Sequence, residues 1–217
     1  QYLTRYMIDK VPIPLEKSEL KILYIDIETD FSIDWKNAKE QILCATIYNS
    51  FTKEYKQFYP TLIDNNKEYS MLSRMLQYIA SENPDIISGW NVFFDISYIT
   101  NRCRLIGINI DEILSPGYKI IIDEKFNQIS IRGIVIFDLL QGYKKIQPSQ
   151  IESYKLDYIS KKELGEKKIK IDLKKLKDNK EELLRYNKKD VELCVGIDNK
   201  IGIIQYFDEL RRLIGCR

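Results

Sequence analysis

The first long stretch of apolar residues runs through Leu20-Lys21-Ile22-Leu23-Tyr24-Ile25-Asp26-Ile27, with aliphatic and aromatic side chains on both faces. That pattern predicts a central strand covered from both sides. Residues 41–48 predict a second strand, and the more polar residues 53–59 a third that Pro60 ends. The period then lengthens. Leu72, Met75, Leu76 and Ile79 form one stripe, which predicts a helix over 66–81. Asn83-Pro84 breaks it, residues 85–90 predict a short strand with a glycine near its end, and a helix over 93–105 stops near Gly107. Residues 118–137 predict a hairpin and a last strand whose buried part is Ile134-Val135-Ile136-Phe137. Helices follow over 138–145, over 153–164 with Gly165 as its stop, and over 180–200, with continuation past Gly202 to Leu213 left open. Strands dominate early and helices late, so the expected class is α/β, a mixed central β-sheet flanked by α-helices.

Composition narrows the class. The chain has 217 residues, 44% of them apolar and 30% charged, enough for one sizeable core and too hydrophobic for disorder. We expect a monomeric single domain over 1–217, with a leading segment 1–19, a core 20–197 and a C-terminal helical stretch 198–217. No apolar run approaches the roughly 20 residues of a membrane helix, and no secretory leader is visible; the expectation is a cytoplasmic (intracellular) protein without membrane contact. The chain opens on Gln1, so its start says little about targeting. Cys44, Cys103, Cys194 and Cys216 form no Cys-x-x-Cys pair and read as reduced thiols. Histidine is absent altogether. That removes every Ser-His and Cys-His mechanism and makes a structural zinc site improbable. Net charge is only +2, but nine lysines crowd residues 161–180. They read equally as a phosphate-facing patch or as a solvated segment, and 165–180 is the expected disordered loop.

Chemistry is therefore left to carboxylates, Lys, Tyr and Cys. Asp26 and Glu28 are i and i+2 on a strand, so both point to one face. Two like charges on an otherwise apolar strand raise each other's pKa, and a divalent cation with a taste for hard oxygen ligands, Mg²⁺ or Mn²⁺, relieves that cost. An acidic pair opening a surface loop is the plainer alternative. Asp95 opens a predicted helix, where an acid is also favoured by the helix dipole. Tyr186 and Asp190 are i and i+4 and share a helix face with Leu183 and Cys194, which an ordinary amphipathic helix would also show.

Taken in order, Asp-x-Glu on a first central strand, Asn91-x-x-Phe94-Asp95 opening a middle helix and Tyr186-x-x-x-Asp190 on a late helix resemble the three exonuclease motifs of family B DNA polymerases. The likeness spans about residues 20–197. Ser88-Gly89-Trp90-Asn91, Arg132 to Leu140, Ser153 to Asp157 and Lys162 to Gly165 agree with it in character. The resemblance implies a ribonuclease H-like fold, and tyrosine in the third motif implies the DEDDy branch. It further implies that Asp26, Glu28, Asp95 and Asp190 hold two divalent cations, Mg²⁺ or Mn²⁺, roughly 3.5–4 Å apart, which activate a water and stabilise the leaving 3′-oxygen. Tyr186 would orient that water. The implied substrate is the single-stranded 3′ end of DNA, and the product a nucleoside 5′-monophosphate. Asn91, Phe94, Phe31 and Lys188 are the implied substrate contacts, with Trp35 a further stacking candidate. The implied partner is the polymerase portion of the same parent chain, reached past residue 198. A stand-alone DNA or RNA exonuclease, and a catalytically silent nucleic-acid-binding module, stay open as alternatives. No Asp-Thr-Asp polymerase motif is present, so the expectation is that this stretch alone should not polymerise.

Overall fold

The computed structural model describes residues 19–30, 34–61, 66–147, 149–166, 168 and 179–214. Within them the strands are β1 (Ile22–Thr29), β2 (Ile42–Asn49), β3 (Tyr55–Phe58), β4 (Ile86–Gly89), β5 (Ile121–Asp123), β6 (Gln128–Ile131) and β7 (Ile134–Asp138). The helices are α1 (Lys67–Glu82), α2 (Val92–Leu105), α3 (Ile110–Leu114), α4 (Leu139–Ile146), α5 (Leu156–Leu164), α6 (Lys180–Ile201) and α7 (Ile203–Ile214). All seven strands join one sheet in the order β3-β2-β1-β4-β7-β6-β5. β1–β4 and β4–β7 are parallel and the remaining pairs antiparallel, so the sheet is mixed as expected.

The alternation along β1 sorts the molecule into two layers. Leu23, Ile25 and Ile27 face a core built with α1, α2 and α3, which includes Leu72, Met75, Leu76 and Ile79 of the predicted stripe. Tyr24 faces the other way, into a second core formed with α4, α5, α6 and α7. Asp26 and Glu28 continue the row of Tyr24 on that second face. A buried apolar row thus turns acidic over its last two positions, at the carboxyl end of a central strand, where open α/β sheets place their ligand crevices.

Helix starts follow their caps. Asn66 accepts from Tyr69 N and Asn179 from Glu182 N, while Asp138 accepts from both Leu140 N and Gln141 N. One feature differs from the sequence expectation, and one that it left open is decided. The five-residue α3 is additional, too short for a periodic signal. The late helix does not run through Gly202, which adopts φ 72° and divides α6 from α7. Asp198 makes that break stable: its carboxylate accepts from Ile204 N at 3.0 Å, starting α7, and from the Tyr24 hydroxyl at 2.6 Å. The expected leading segment up to residue 18 and most of the expected loop 165–180 lie outside the described residues. Among the described residues no helix is long and apolar enough to cross a membrane.

Candidate metal centre

Three elements deliver acids to one end of the sheet. β1 supplies Asp26 and Glu28, and an irregularity in its pairing with β2 between Glu28 and Thr29 ends the ladder just beyond them. β4 and α2 supply Asp95. A Cβ at Gly89 would lie 2.5 Å from the Ile25 carbonyl oxygen, so only glycine lets the end of β4 press against β1. The chain then turns through Asn91 at φ 64°, its N–H donating to Asp138 Oδ1 at 3.1 Å. Asp95 emerges in the first turn of α2 and accepts from Ile27 N at 3.2 Å, reaching over the end of β1 from the opposite layer. α6, packed on β1 and β2, supplies Tyr186 and Asp190.

Asp26, Glu28 and Asp190 each present one carboxylate oxygen, all within 4.8 Å of one another. Asp95 stands outside this trio but is buried beside it, and its charge acts on Asp26. Burial pushes Asp26 well above the usual carboxylate range, reinforced by Asp95, Glu28 and Asp190. Burial likewise pushes Glu28 up to about 8, with Asp190 adding to it, and Asp95 up to about 7. Asp190 is raised by burial as well, against the pull of Lys168. The Lys168 ammonium lies 2.5 Å from Asp190 Oδ2. Burial would lower its pKa, but Asp190 outweighs that and holds it protonated. Among the described residues, one lysine faces four acids. The group is under-neutralised, and its donors are hard oxygens, the ligand set of Mg²⁺ or Mn²⁺.

Two further observations fit a cation. Among the described residues the buried side-chain polar atoms without a hydrogen-bond partner are Ser97 Oγ, Asn187 Oδ1 and Asp190 Oδ1, and the last two lie in this group. Burial pushes the Tyr186 phenol up to about 12, so it stays protonated at neutral pH and can donate a hydrogen bond but not abstract a proton.

The remaining candidates divide. Phe94 is half-buried next to Asp95, its ring 5.7 Å from that of Tyr98, and Asn91 is exposed at the turn before α2. Phe31 lies outside the described residues. Trp35 packs edge-on against Phe93 at 5.3 Å, which makes it a partner of the core. Lys188 leans over the Tyr55 ring at 4.9 Å and pairs with Glu192 at 3.7 Å. Two residues from both Tyr186 and Asp190, it sits about 200° around α6 from each. Two residues of the site escaped the sequence reading. Lys168 was one of nine similar lysines with nothing to single it out. Asn187, fully buried, did leave a signal: it interrupts the stripe of Leu183, Val191 and Cys194 at a helical position that should be apolar.

A family model described as DNA polymerase family B, exonuclease domain, matches residues 6–159. That range holds Asp26, Glu28 and Asp95; Lys168, Tyr186 and Asp190 follow it. The DNA-directed DNA polymerase of Escherichia phage RB69 is 36% identical over 148 residues, which cover 63% of this chain and 16% of that protein. A DNA polymerase of Thermococcus kodakarensis is 25% identical over 227 aligned positions, 97% of this chain and 13% of the relative. The chain thus spans about a sixth or less of these two relatives. Among solved structures, the family B DNA polymerase from Pyrobaculum calidifontis superposes with a TM-score of 0.67 at 18% identity, over 85% of this chain and 25% of that one. That likeness shows the fold, an α/β ribonuclease H-like arrangement.

Proposed function

This chain belongs to the exonuclease-domain family of the family B DNA polymerases, and on that premise we propose that it removes nucleoside 5′-monophosphates from the 3′ end of single-stranded or frayed DNA. The observation that carries the reading is the convergence of four acids from β1, α2 and α6 with, among the described residues, one lysine to balance them. A buried group of like charges is unfavourable unless a cation completes it, and a silent binding module would have no use for it.

Asp26, Glu28 and Asp190 would hold divalent cations, with Asp95 completing the set from α2. When bound, two such ions supply a water of lowered pKa and charge neutralisation at the departing oxygen. The chain's own residues do the rest. Tyr186, a protonated phenol beside Asp190 and Glu28, orients the attacking water by hydrogen bond. Lys168, held charged by Asp190, contributes positive charge where a phosphodiester would lie. Phe94 and Asn91, at the start of α2, form the adjoining surface for the terminal nucleotide, and Phe31 remains assigned with them. Lys188, turned to Tyr55 and Glu192, stays assigned as a substrate contact by the resemblance alone and away from the reacting phosphate. The lengths of the relatives support a parent chain in which this domain proofreads for a polymerase.

The test is digestion of 5′-labelled single-stranded DNA with Mg²⁺ or Mn²⁺, comparing wild type with Asp26→Ala and Asp190→Ala. We expect a metal-dependent ladder from the wild type and none from the variants. No ladder from the wild type would sink the catalytic reading, and equal ladders would sink the residue assignment.

A further inference from the structure

Asn187 is fully buried on α6, between Tyr186 and Asp190 in sequence but with no role so far. Its Nδ2 donates to Asp26 Oδ2 at 2.6 Å. Its Oδ1 has no partner among the described residues. A carboxamide buried with its acceptor unused is unfavourable at a position where leucine would pack. Nδ2 is the end that meets Asp26, and the ionised Asp26 that would bind a cation can only accept, so it requires the NH₂ end. No other hydrogen bond reaches that carboxylate among the described residues.

The placement is selective. Nδ2 binds Asp26 Oδ2, and the same carboxylate offers one oxygen to the trio formed with Glu28 and Asp190. The donor is neutral. It orients the carboxylate without bringing a positive charge that would compete with a bound cation, as an Arg or Lys at position 187 would. Asn187 also lies on the same helix as Asp190, three residues before it, so it ties the β1 ligand to the α6 ligand through one rigid element.

We infer that Asn187 is a positioning residue of the metal centre, whose carboxamide orients Asp26 for divalent cation binding. This rests on the metal-dependent reading above. Partners of this kind, which orient a ligand without touching the metal, typically change metal affinity by about 10–100-fold.

The experiment measures Mn²⁺ affinity directly, by the electron paramagnetic resonance signal of the free ion, on the whole chain and its variants. Asn187→Leu fills the space without a donor. Asn187→Ala removes the donor and keeps the strongest helix former, so it serves where leucine does not fit. Both are expected to lose about 10–100-fold in Mn²⁺ affinity and to need correspondingly more Mn²⁺ for exonuclease activity, with the rate largely regained at saturation. In an Asp26→Ala background, Asn187→Ala should cause no further loss of affinity. A purely structural role would lower thermal stability in EDTA and leave the Mn²⁺ affinity of folded protein unchanged; that result overturns the inference alone. Wild type that binds no Mn²⁺ overturns both the inference and the metal-dependent reading.

Discussion

Two of the buried charged groups among the described residues are built on opposite principles. Glu68 of α1 and Arg102 of α2 pair at 2.6 Å with side chains under a tenth exposed. Glu68 Oε1 also accepts from Arg102 Nε and from Ile42 N, and Arg102 Nη1 donates to the carbonyls of Ala38 and Lys39. The charges cancel and the hydrogen bonds of both groups are used, stitching α1, α2 and the approach to β2 together. The acids at the end of β1 show the reverse: among the described residues, four carboxyls, one lysine, and an Asp190 oxygen with no partner. Burial of charge is common to both. Completeness separates them, and it distinguishes a group that holds the fold from one that awaits a ligand.

The comparison can be broken, or sharpened, by removing one member from each. The largest effect is expected at the complete pair. Arg102→Leu strands Glu68 and should cost about 3–5 kcal/mol of the roughly 5–15 kcal/mol total, read by urea denaturation. A loss below 1 kcal/mol would mean that the pair is not structural in this sense. Glu28→Gln should act the other way: exonuclease activity falls about 10³-fold, or ~4 kcal/mol, yet stability in EDTA at neutral pH rises by about 1–2 kcal/mol because the fold no longer has to keep a buried acid protonated. A variant less stable than wild type in EDTA would contradict the under-neutralised reading.

Next comes pH. Glu28, raised from 4.5 to about 8, and Asp95, raised from 3.8 to about 7, keep protons in the folded state that the unfolded chain releases. The folded form therefore binds more protons, and metal-free stability should fall as pH rises from about 4 to about 8, then level off. Melting temperatures at pH 5, 6, 7 and 8 in EDTA test the slope, and saturating Mn²⁺ should flatten it. A metal-free profile that rises over that range would reverse the sign and refute the assignment. The smallest effect is Tyr186→Phe: about 10²-fold in activity from a misplaced water, with a melting curve like that of wild type.

Asn187 shows why half of the site was readable and half was not. Asp26 and Glu28 share a face by strand geometry alone, and Tyr186 and Asp190 by helix geometry alone, so their pairing needs only the local period. The order of the three motifs then implied that the pairs meet. The contacts of Lys168 and Asn187 depend on how α6 and residue 168 lie against β1, which no period encodes, whereas the divergence of Lys188 follows from the helical period alone. The break at Gly202 is similar: glycine permits it, but Asp198, capping α7 and bonded to Tyr24 of β1, is what makes it stable.

By itself, then, the sequence determined every element but α3, the mixed α/β class, the exclusion of histidine chemistry and which candidate acids share a face, because each follows from residue type and spacing within one strand or helix. The tertiary structure alone decided that three carboxylates come within 4.8 Å of one another with Asp95 just outside, that Lys168 is the cation that faces them, and that Asn187 grips Asp26. Those are contacts between residues up to 164 positions apart (Asp26 to Asp190), and only the packing of α6 across the sheet brings them together.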